Sequence, residues 1–303
     1  CNDKHSSESV GVNMEQKFSV LMSLYIKEKV EYVRECFESL INQTVNASEW
    51  VIVEDGPLNQ DMYNLLDEYQ TKYPSLIVRI RLETNQGLGL ALREGILHCS
   101  NELIARMDTD DIARNDRFEL QLKEFELNPQ LDISGSFIKE FDKDTNNVIS
   151  IREVPVKQKD IYAYQKKRSA FNHMTVMFKK SKVIEAGNYE NCPLMEDDML
   201  WTKMLLIGVK CSNINDYLVY ARTGIDMIKR RGGYEYFKKY KNARKKIYKL
   251  GYISNLDYIV SIVVQFFVCL IPSKFRIFVF CKLLRKVYSC LLYTSDAADE
   301  LDG

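Results

Sequence analysis

Leu103-Ile104-Ala105-Arg106-Met107-Asp108-Thr109-Asp110-Asp111-Ile112 is an apolar run that stops abruptly at three carboxylates within four residues. Burying the run while leaving its charges in water requires a strand that ends at a cleft. Carboxylates this close raise one another's pKa, and a chain tolerates them where a cation or a proton transfer offsets the repulsion. Strand residues at i and i+2 share a face. Asp108 and Asp110 are therefore expected on one side and Asp111 on the other, as far as strand geometry persists. Oxygen-only ligands at this spacing suit Mg2+ or Mn2+ rather than zinc. Taken alone, such a stretch more often marks a solvated acidic turn, so its neighbours have to decide.

Upstream, Phe18 to Tyr25 is apolar and β-prone, a first strand. Val30, Val33, Phe37, Leu40 and Ile41 then recur on one helical face, and Trp50 to Val53 reads as a second strand closed by Asp55-Gly56-Pro57. A helix over Asp61 to Tyr73 and a strand over Ile77 to Leu82 follow. Asn85-Gln86-Gly87-Leu88-Gly89 turns into a helix over Leu90 to Cys99, its glycines permitting close backbone approach. This βαβ rhythm predicts an α/β fold with a parallel sheet that binds ligands at the carboxyl ends of its strands. Tyr25, Asp55, Asn85 and the Asp108/Asp110 pair then end four consecutive strands. That convergence argues against an incidental acidic turn.

Downstream, Arg117 to Leu127 is a helix, Leu131 to Phe141 a strand, and Asp142 to Asn147 a polar turn. Ser169 to Phe178 begins with Phe171-Asn172-His173-Met174-Thr175 and becomes an apolar strand. Ser181 is expected to cap a helix over Lys182 to Ala186. A second acidic cluster, Glu196-Asp197-Asp198, opens an amphipathic helix that runs to Ile207; on its own it fits dipole-favoured helix capping equally well.

The net charge of zero over 303 residues conceals an asymmetry, because residues 222–290 hold 16 Lys and Arg against 3 Asp and Glu. That segment suits an anionic surface, and nothing in it points to nucleic acid. It comprises a basic aromatic helix over Tyr234 to Leu250, an apolar run over Tyr258 to Ile271, and an apolar-basic helix over Phe275 to Val287. The run is shorter than the ~20 residues a spanning helix needs, so an in-plane anchor on an anionic membrane is expected, with a soluble helical cap as the alternative. Eight scattered cysteines with no CxxC pair fit a reducing cytoplasm. Residues 1–13 are read as an upstream arm before Met14, and the acidic stretch 291–303 as a tail unrelated to the fold.

Taken in order, FSVLMSLY, the strand ending at Asp55, NQGLGLAL, IARMDTDD, Asn172-His173-Met174-Thr175 and EDDMLW resemble the bacterial family 2 glycosyltransferases of the GT-A fold. The likeness is greatest to the branch that builds surface polysaccharides, such as amylovoran-type galactosyl and glucosyl transferases. The resemblance implies a Rossmann-like, mostly parallel central sheet flanked by helices over residues 14–225. Its nucleotide-binding half would be 17–112 and its acceptor half 113–225, with 226–290 a basic helical appendage. It also implies an inverting enzyme on the cytoplasmic face of the inner membrane, moving a hexose from a nucleotide sugar, UDP-linked by expectation, to a glycan or lipid-linked oligosaccharide. Asp110 would hold Mn2+ or Mg2+, and Asp108 metal or ribose. Asp55 would contact the nucleobase and Tyr25 stack on it, with Asn85 beside them. Asp197 would be the general base and Glu196 would orient the acceptor, while Arg230 and Arg231 cover the diphosphate. His173 and Trp201 would line the donor or acceptor site.

Asn115 and Arg93 depart from the family's usual Pro and Asn without removing a catalytic group. Asp198 replaces a frequent aromatic, and its charge would raise the pKa of Asp197, so either carboxylate can be the working base. Two rivals have a basis in the residues. One is a haloacid-dehalogenase type phosphohydrolase with Asp108 as nucleophile, although three strands precede a motif that normally opens that fold. The other is a catalytically silent nucleotide-sugar scaffold, against which intact Asp110 and Asp197 argue. An EF-hand loop fails because Ile112 and Ala113 stand where an oxygen ligand and a glycine belong.

Overall fold

The computed structural model describes residues 16–223 and 232–272 and the backbone of 286–287. Three βα units and a fourth strand open the chain: β1 (Phe18–Leu24), α1 (Val30–Ile41), β2 (Glu49–Glu54), α2 (Gln60–Lys72), β3 (Ile77–Arg81), α3 (Leu88–His98) and β4 (Leu103–Arg106). β1 pairs in parallel with both β2 and β4, and β3 in parallel with β2, so the order is β3-β2-β1-β4 and all four carboxyl ends share one edge. This arrangement follows from sequence. β2 is buried along its whole length, as a parallel strand covered on both faces must be.

Its two glutamates are accommodated by partners. Ser19 and Ser100 donate to Glu49, and Arg79 Nε donates to Glu54 at 2.5 Å. On one face Val33, Phe37, Met62, Leu66 and Phe118 pack from the helices against Val20, Met22 and Ile52. On the other, Ala91, Leu92 and Ile96 of α3 meet Leu21, Val51 and Val53.

The second half is mixed in direction. After β5 (Ile112–Ala113) and α4 (Arg117–Leu127) come β6 (Ile133–Phe141), β7 (Val148–Arg152), α5 (Gln158–Gln165), a 3-10 turn at His173–Thr175, β8 (Met177–Lys179), α6 (Lys180–Glu185), α7 (Glu196–Leu206) and β9 (Cys211–Arg222). β8 lies antiparallel between β4 and β6, joining the halves into one sheet, while β9 runs parallel to β6 and antiparallel to β5. α8 (Tyr234–Lys249) packs on α7, and α9 (Asn255–Leu270) packs on α8. α9 opens with a Ser254/Asp257 capping box.

Ser169 to Phe178 is strand only at its end, because the 3-10 turn bends the chain before β8. Some expectations need correction. Ser181 lies inside α6 rather than at its cap, and its hydroxyl donates to Glu102 instead. The helix expected to reach Val287 does not, since Lys286–Val287 pair with β7 as β10; residues 273–285 lie outside the described residues. The arm 1–13 and the tail 291–303 lie outside them too.

Gly95 of α3 sits where the helix crosses the sheet. A Cβ there would run into the Leu21 side chain and lie 2.9 Å from Val53 Cγ2. Gly95→Ala should therefore lose about 1–3 kcal/mol of stability to overpacking, read as a lower urea midpoint at unchanged slope.

Candidate active site

Each side chain expected at the cleft follows a strand end, and the backbone beyond each strand determines where it points. Tyr25 and Glu28 form a turn after β1, closed by Glu28 N donating to Tyr25 O at 3.0 Å. Asp55 follows β2 and is almost fully buried. Its two carboxylate oxygens accept from Gln86 N (2.7 Å) and Gly87 N (3.0 Å), and Asn85 Nδ2 donates to the Asp55 carbonyl (3.1 Å). Asp55 thus shapes the Asn85–Gly87 loop.

At the end of β4, Met107 N still donates to Leu21 O (3.1 Å), and then Asp108–Asp111 turns, with Asp111 N donating to Asp108 O (3.3 Å). The turn ends the strand's alternation. Asp111 consequently lies with Asp108 and Asp110 rather than on the opposite side, one carboxylate oxygen from each lying within 4.8 Å of the others. Burial, then Asp108, pushes Asp110 up to about 6; burial, then Asp110 and Asp108, raises Asp111 well above the usual carboxylate range. Asp111 Oδ2 is buried without a hydrogen-bond partner among the described residues. Three crowded carboxylates, one with an orphaned oxygen, are a donor set that fits a divalent cation preferring oxygen.

Two arginines hold this turn. Arg106, fully buried, is ion-paired with Asp108, and its Nε and Nη1 find no hydrogen-bond partner among the described residues. Arg222, at the end of β9, donates from Nε to Asp110 O (3.0 Å) and from its backbone N–H to Asp111 Oδ1 (2.7 Å), and pairs with Glu35. Its guanidinium lies 3.9 Å from the Tyr32 ring centre and 4.6 Å from that of Phe141.

The second acidic cluster forms the first turn of α7. Asp198 is buried and accepts from Gln165 Nε2 at 2.8 Å, whereas Asp197 is half-buried. Burial, then Asp198 and Glu196, pushes Asp197 up to about 8. Glu196 is also raised by burial, within the fields of Arg106, Asp108 and Asp198. Arg106 therefore acts on both clusters, through its ion pair with Asp108 and its field at Glu196.

His173 and Trp201 lie behind the cleft. Trp201 is fully buried, its ring centre 5.6 Å from that of Phe171 and 5.8 Å from that of His173, so it packs in the core and does not line a ligand site. His173 Nε2 meets Tyr189 Oη at 2.8 Å, and burial, then Arg106, holds its pKa well below the ordinary value, keeping the ring neutral. Arg230 and Arg231 lie outside the described residues.

Sequence reasoning passed over Glu28, Arg106 as a site residue, Arg222 and Glu35. Glu28 faces the cluster and is pushed up to about 8 by burial, then by Asp110 and Asp108. A carboxylate at a strand end, the criterion that found Asp55, would have found it.

Comparison with known proteins gives this geometry its context. The family model described as glycosyl transferase family 2 matches residues 19–186, which contain every strand from β1 to β8, and the chain belongs to that family. It is 43% identical over 276 residues to an uncharacterized glycosyltransferase of Haemophilus influenzae, covering 91% of this chain and 99% of the relative. It is 41% identical over 221 residues to the amylovoran biosynthesis glycosyltransferase AmsE of Erwinia amylovora, covering 73% and 82%. A third relative, the UDP-Gal:alpha-D-GlcNAc-diphosphoundecaprenol beta-1,3-galactosyltransferase of Escherichia coli, is 37% identical over 270 residues, covering 89% and 97%.

Among solved structures, S. aureus TarS in complex with UDP-GlcNAc superposes with a TM-score of 0.59 at 18% identity, covering 83% of this chain and 71% of that one. The mannosyltransferase PcManGT of Pyrobaculum calidifontis in complex with GDP-Man and Mn2+ gives 0.58 at 14% identity, covering 86% and 72%. The fold is that of the GT-A glycosyltransferases, and the phosphohydrolase alternative is set aside.

Arg222→Met keeps the apolar stem but removes the bond to the Asp110 carbonyl and the pair with Glu35. The variant is expected to lose roughly 2 kcal/mol in urea unfolding, since charge-assisted bonds from a mostly buried guanidinium are among the stronger ones.

Proposed function

We propose that this glycosyltransferase moves a hexose, with inversion, from a UDP-sugar to a glycan or lipid-linked acceptor in surface-polysaccharide synthesis. The observation that carries the reading is the pair of carboxylate clusters that share the charge of Arg106. One sits at the strand edge where the resemblance puts the donor diphosphate, the other on the helix end that would receive an acceptor hydroxyl. The names of the amylovoran and galactosyltransferase relatives support the pathway and acceptor class.

Asp108 and Asp110 would hold Mn2+ or Mg2+, which when bound supplies the countercharge for a departing nucleoside diphosphate. Arg106, ion-paired with Asp108, keeps that side chain aimed. Tyr25, Asp55 and Asn85 shape the nucleoside pocket, Asp55 through the loop it organises, and Arg230 and Arg231 would cover the diphosphate. Asp197 takes the acceptor proton, with Glu196 orienting the acceptor. Asp198, held by Gln165, tunes Asp197 rather than replacing it. His173, neutral beneath Arg106, supports the cleft floor.

Membrane attachment is the second part of the proposal. Among the described residues no helix is long and apolar enough to cross a membrane. α9 nevertheless exposes Leu256, Ile259, Val264, Phe267 and Leu270 beside the lysines of α8, a combination that suits the anionic surface of a cytoplasmic membrane face. Flotation on anionic liposomes, weakened by Val264→Glu/Phe267→Glu, is the expected result; no flotation of the intact chain at low or physiological salt defeats the anchor.

The catalytic test is release of nucleoside diphosphate from a panel of UDP- and GDP-hexoses with Mn2+. Asp110→Ala and Asp197→Asn should each lower kcat at least 100-fold, and equal rates in all three proteins would sink the reading. Product of retained anomeric configuration, read by NMR, would overturn inversion alone.

The pH dependence carries a sign. A base pushed up to about 8 is protonated below that value, so kcat/KM should rise with pH to an inflection near 8, and Asp198→Asn should move the inflection down. Because the raised value belongs to the folded state, ionising Asp197 lowers stability as pH climbs from the unfolded value of about 4 through 8. Asp197→Asn should accordingly raise Tm relative to wild type at pH 9, a gain that shrinks toward pH 5.

A further inference from the structure

The sheet itself brings the turn between β1 and α1 against the Asp108–Asp111 turn. Leu21 pairs with Arg106 in the parallel register of β1 and β4, so the residues that follow each strand run on side by side. Beyond that register Met107 N donates to Leu21 O (3.1 Å) and Thr109 Oγ1 reaches Ser23 O (3.5 Å). α1 closes the same corner: Tyr32 and Glu35 meet Arg222, and Cys36 Sγ lies 3.4 Å from Asp108 O. Glu28 lies on the chain between Ser23 and Tyr32, half-buried, with its backbone N–H bonded to Tyr25 O.

The Glu28 carboxylate has no hydrogen bond or ion pair among the described residues. After burial, the groups that act on it are Asp110, Asp108 and then Arg106, so it faces the acidic turn. Neither neighbouring lysine pairs with it: Lys27 is exposed, and Lys29 Nζ is turned to the Tyr32 hydroxyl (3.3 Å). Glu28, Asp108, Asp110 and Asp111 thus crowd one corner, where Arg106 is paired with Asp108 and Arg222 with Glu35. Negative charge is left over, and a half-buried glutamate that adds to it is unfavourable. A dication at the turn reverses that sign.

Asp108, Asp110 and Asp111 each place an oxygen within 4.8 Å of the others, and Glu28 falls outside that group. It is therefore positioned for the hydration shell of an ion at the aspartates rather than for direct ligation. Mg2+ in particular keeps several of its waters when carboxylates bind it. We propose that Glu28 is a further carboxylate of the cation site, accepting hydrogen bonds from the hydration shell of a divalent ion at Asp108 and Asp110, an inference that rests on the cation proposed above. Glu28 is then a positioning residue, and the turn that carries Tyr25 is tied to the cation through it.

Mn2+ titration of the intact chain in saturating UDP, followed by electron paramagnetic resonance, reads the site without turnover. Glu28→Gln keeps the shape, removes the charge and should weaken Mn2+ binding about tenfold, the lower end of what loss of an outer-shell partner costs. Glu31→Gln, which removes an exposed charge from the first turn of α1, should leave Mn2+ binding alone, and Asp110→Ala should abolish it. UDP affinity in EDTA should be the same in wild type and Glu28→Gln. Mn2+ affinity unchanged by Glu28→Gln, or lowered equally by Glu31→Gln, would overturn the proposal. So would loss of UDP affinity in EDTA on Glu28→Gln, which would make Glu28 a contact of the nucleotide, and so would a wild type that binds no Mn2+. Failure of the transferase reading registers separately, as a wild type that binds Mn2+ in the expected pattern yet releases no nucleoside diphosphate.

Discussion

Most of the cleft depends on one buried charge. Arg106 ends β4 with its guanidinium out of water, and an isolated cation there would be prohibitively unfavourable without a partner. Asp108 supplies the partner, and the pairing fixes which way the acidic turn leaves the strand. Beneath it a second buried arginine, Arg117, donates to the Arg106 carbonyl at 2.7 Å and to Gln121 at 3.0 Å, tying the strand end to α4. Burial, and secondarily the neighbouring Arg106, lowers the pKa of Arg117 to about 9, a measure of how far from water this point lies. The field of Arg106 favours the ionised forms of Asp110 and Asp111 on the turn and of Glu196 on the helix, against the burial that disfavours them.

The two clusters are held by different means. Asp108, Asp110 and Asp111 ride on a turn whose backbone is clamped from two sides, by the Leu21 carbonyl of β1 and by Arg222 of β9. Glu196, Asp197 and Asp198 ride on a helix N-terminus, where the dipole favours their charge and Met199, Leu200 and Trp201 anchor the helix in apolar packing. Gly89 lets α3 approach the second of them: a Cβ there would lie 2.6 Å from the Glu190 carbonyl oxygen and 3.0 Å from Glu196 Cβ. The glycine read in the sequence as permitting close backbone contact does so against the helix that carries the second cluster.

The first half of the fold was legible because its signals are local. β1, β2 and β4 are continuous apolar runs, α1 and α4 show clean helical periodicity, and each strand ends in a polar residue. β7 and β9 escaped notice because they are partly exposed, and β9 alternates only loosely across its irregular pairing with β6. β8 is three residues long, too short for any periodicity. Arg222 lies 111 residues from the aspartate whose carboxylate it serves, a relation set by sheet order and invisible in composition. Trp201 was misplaced for a subtler reason: it lies one turn beyond Asp197 on the same face of α7, and that face passes from the cleft into apolar packing against Phe171, Phe178 and Tyr189.

The same geometry argues for a division of labour within the acidic helix. Asp198 faces inward, is buried, and has its carboxylate occupied by the Gln165 amide, while Asp197 is the one that retains access to the cleft. A carboxylate that must receive a proton needs a raised pKa and an open face together, and burial alone supplies the first only by removing the second. Burial raises Asp197 most, and a second carboxylate behind the working group adds to the shift without covering it, because Asp198 repels the ionised form of Asp197. The departure from the family pattern that left the identity of the base open thus adds to what burial does in setting the pH at which the proposed base becomes competent.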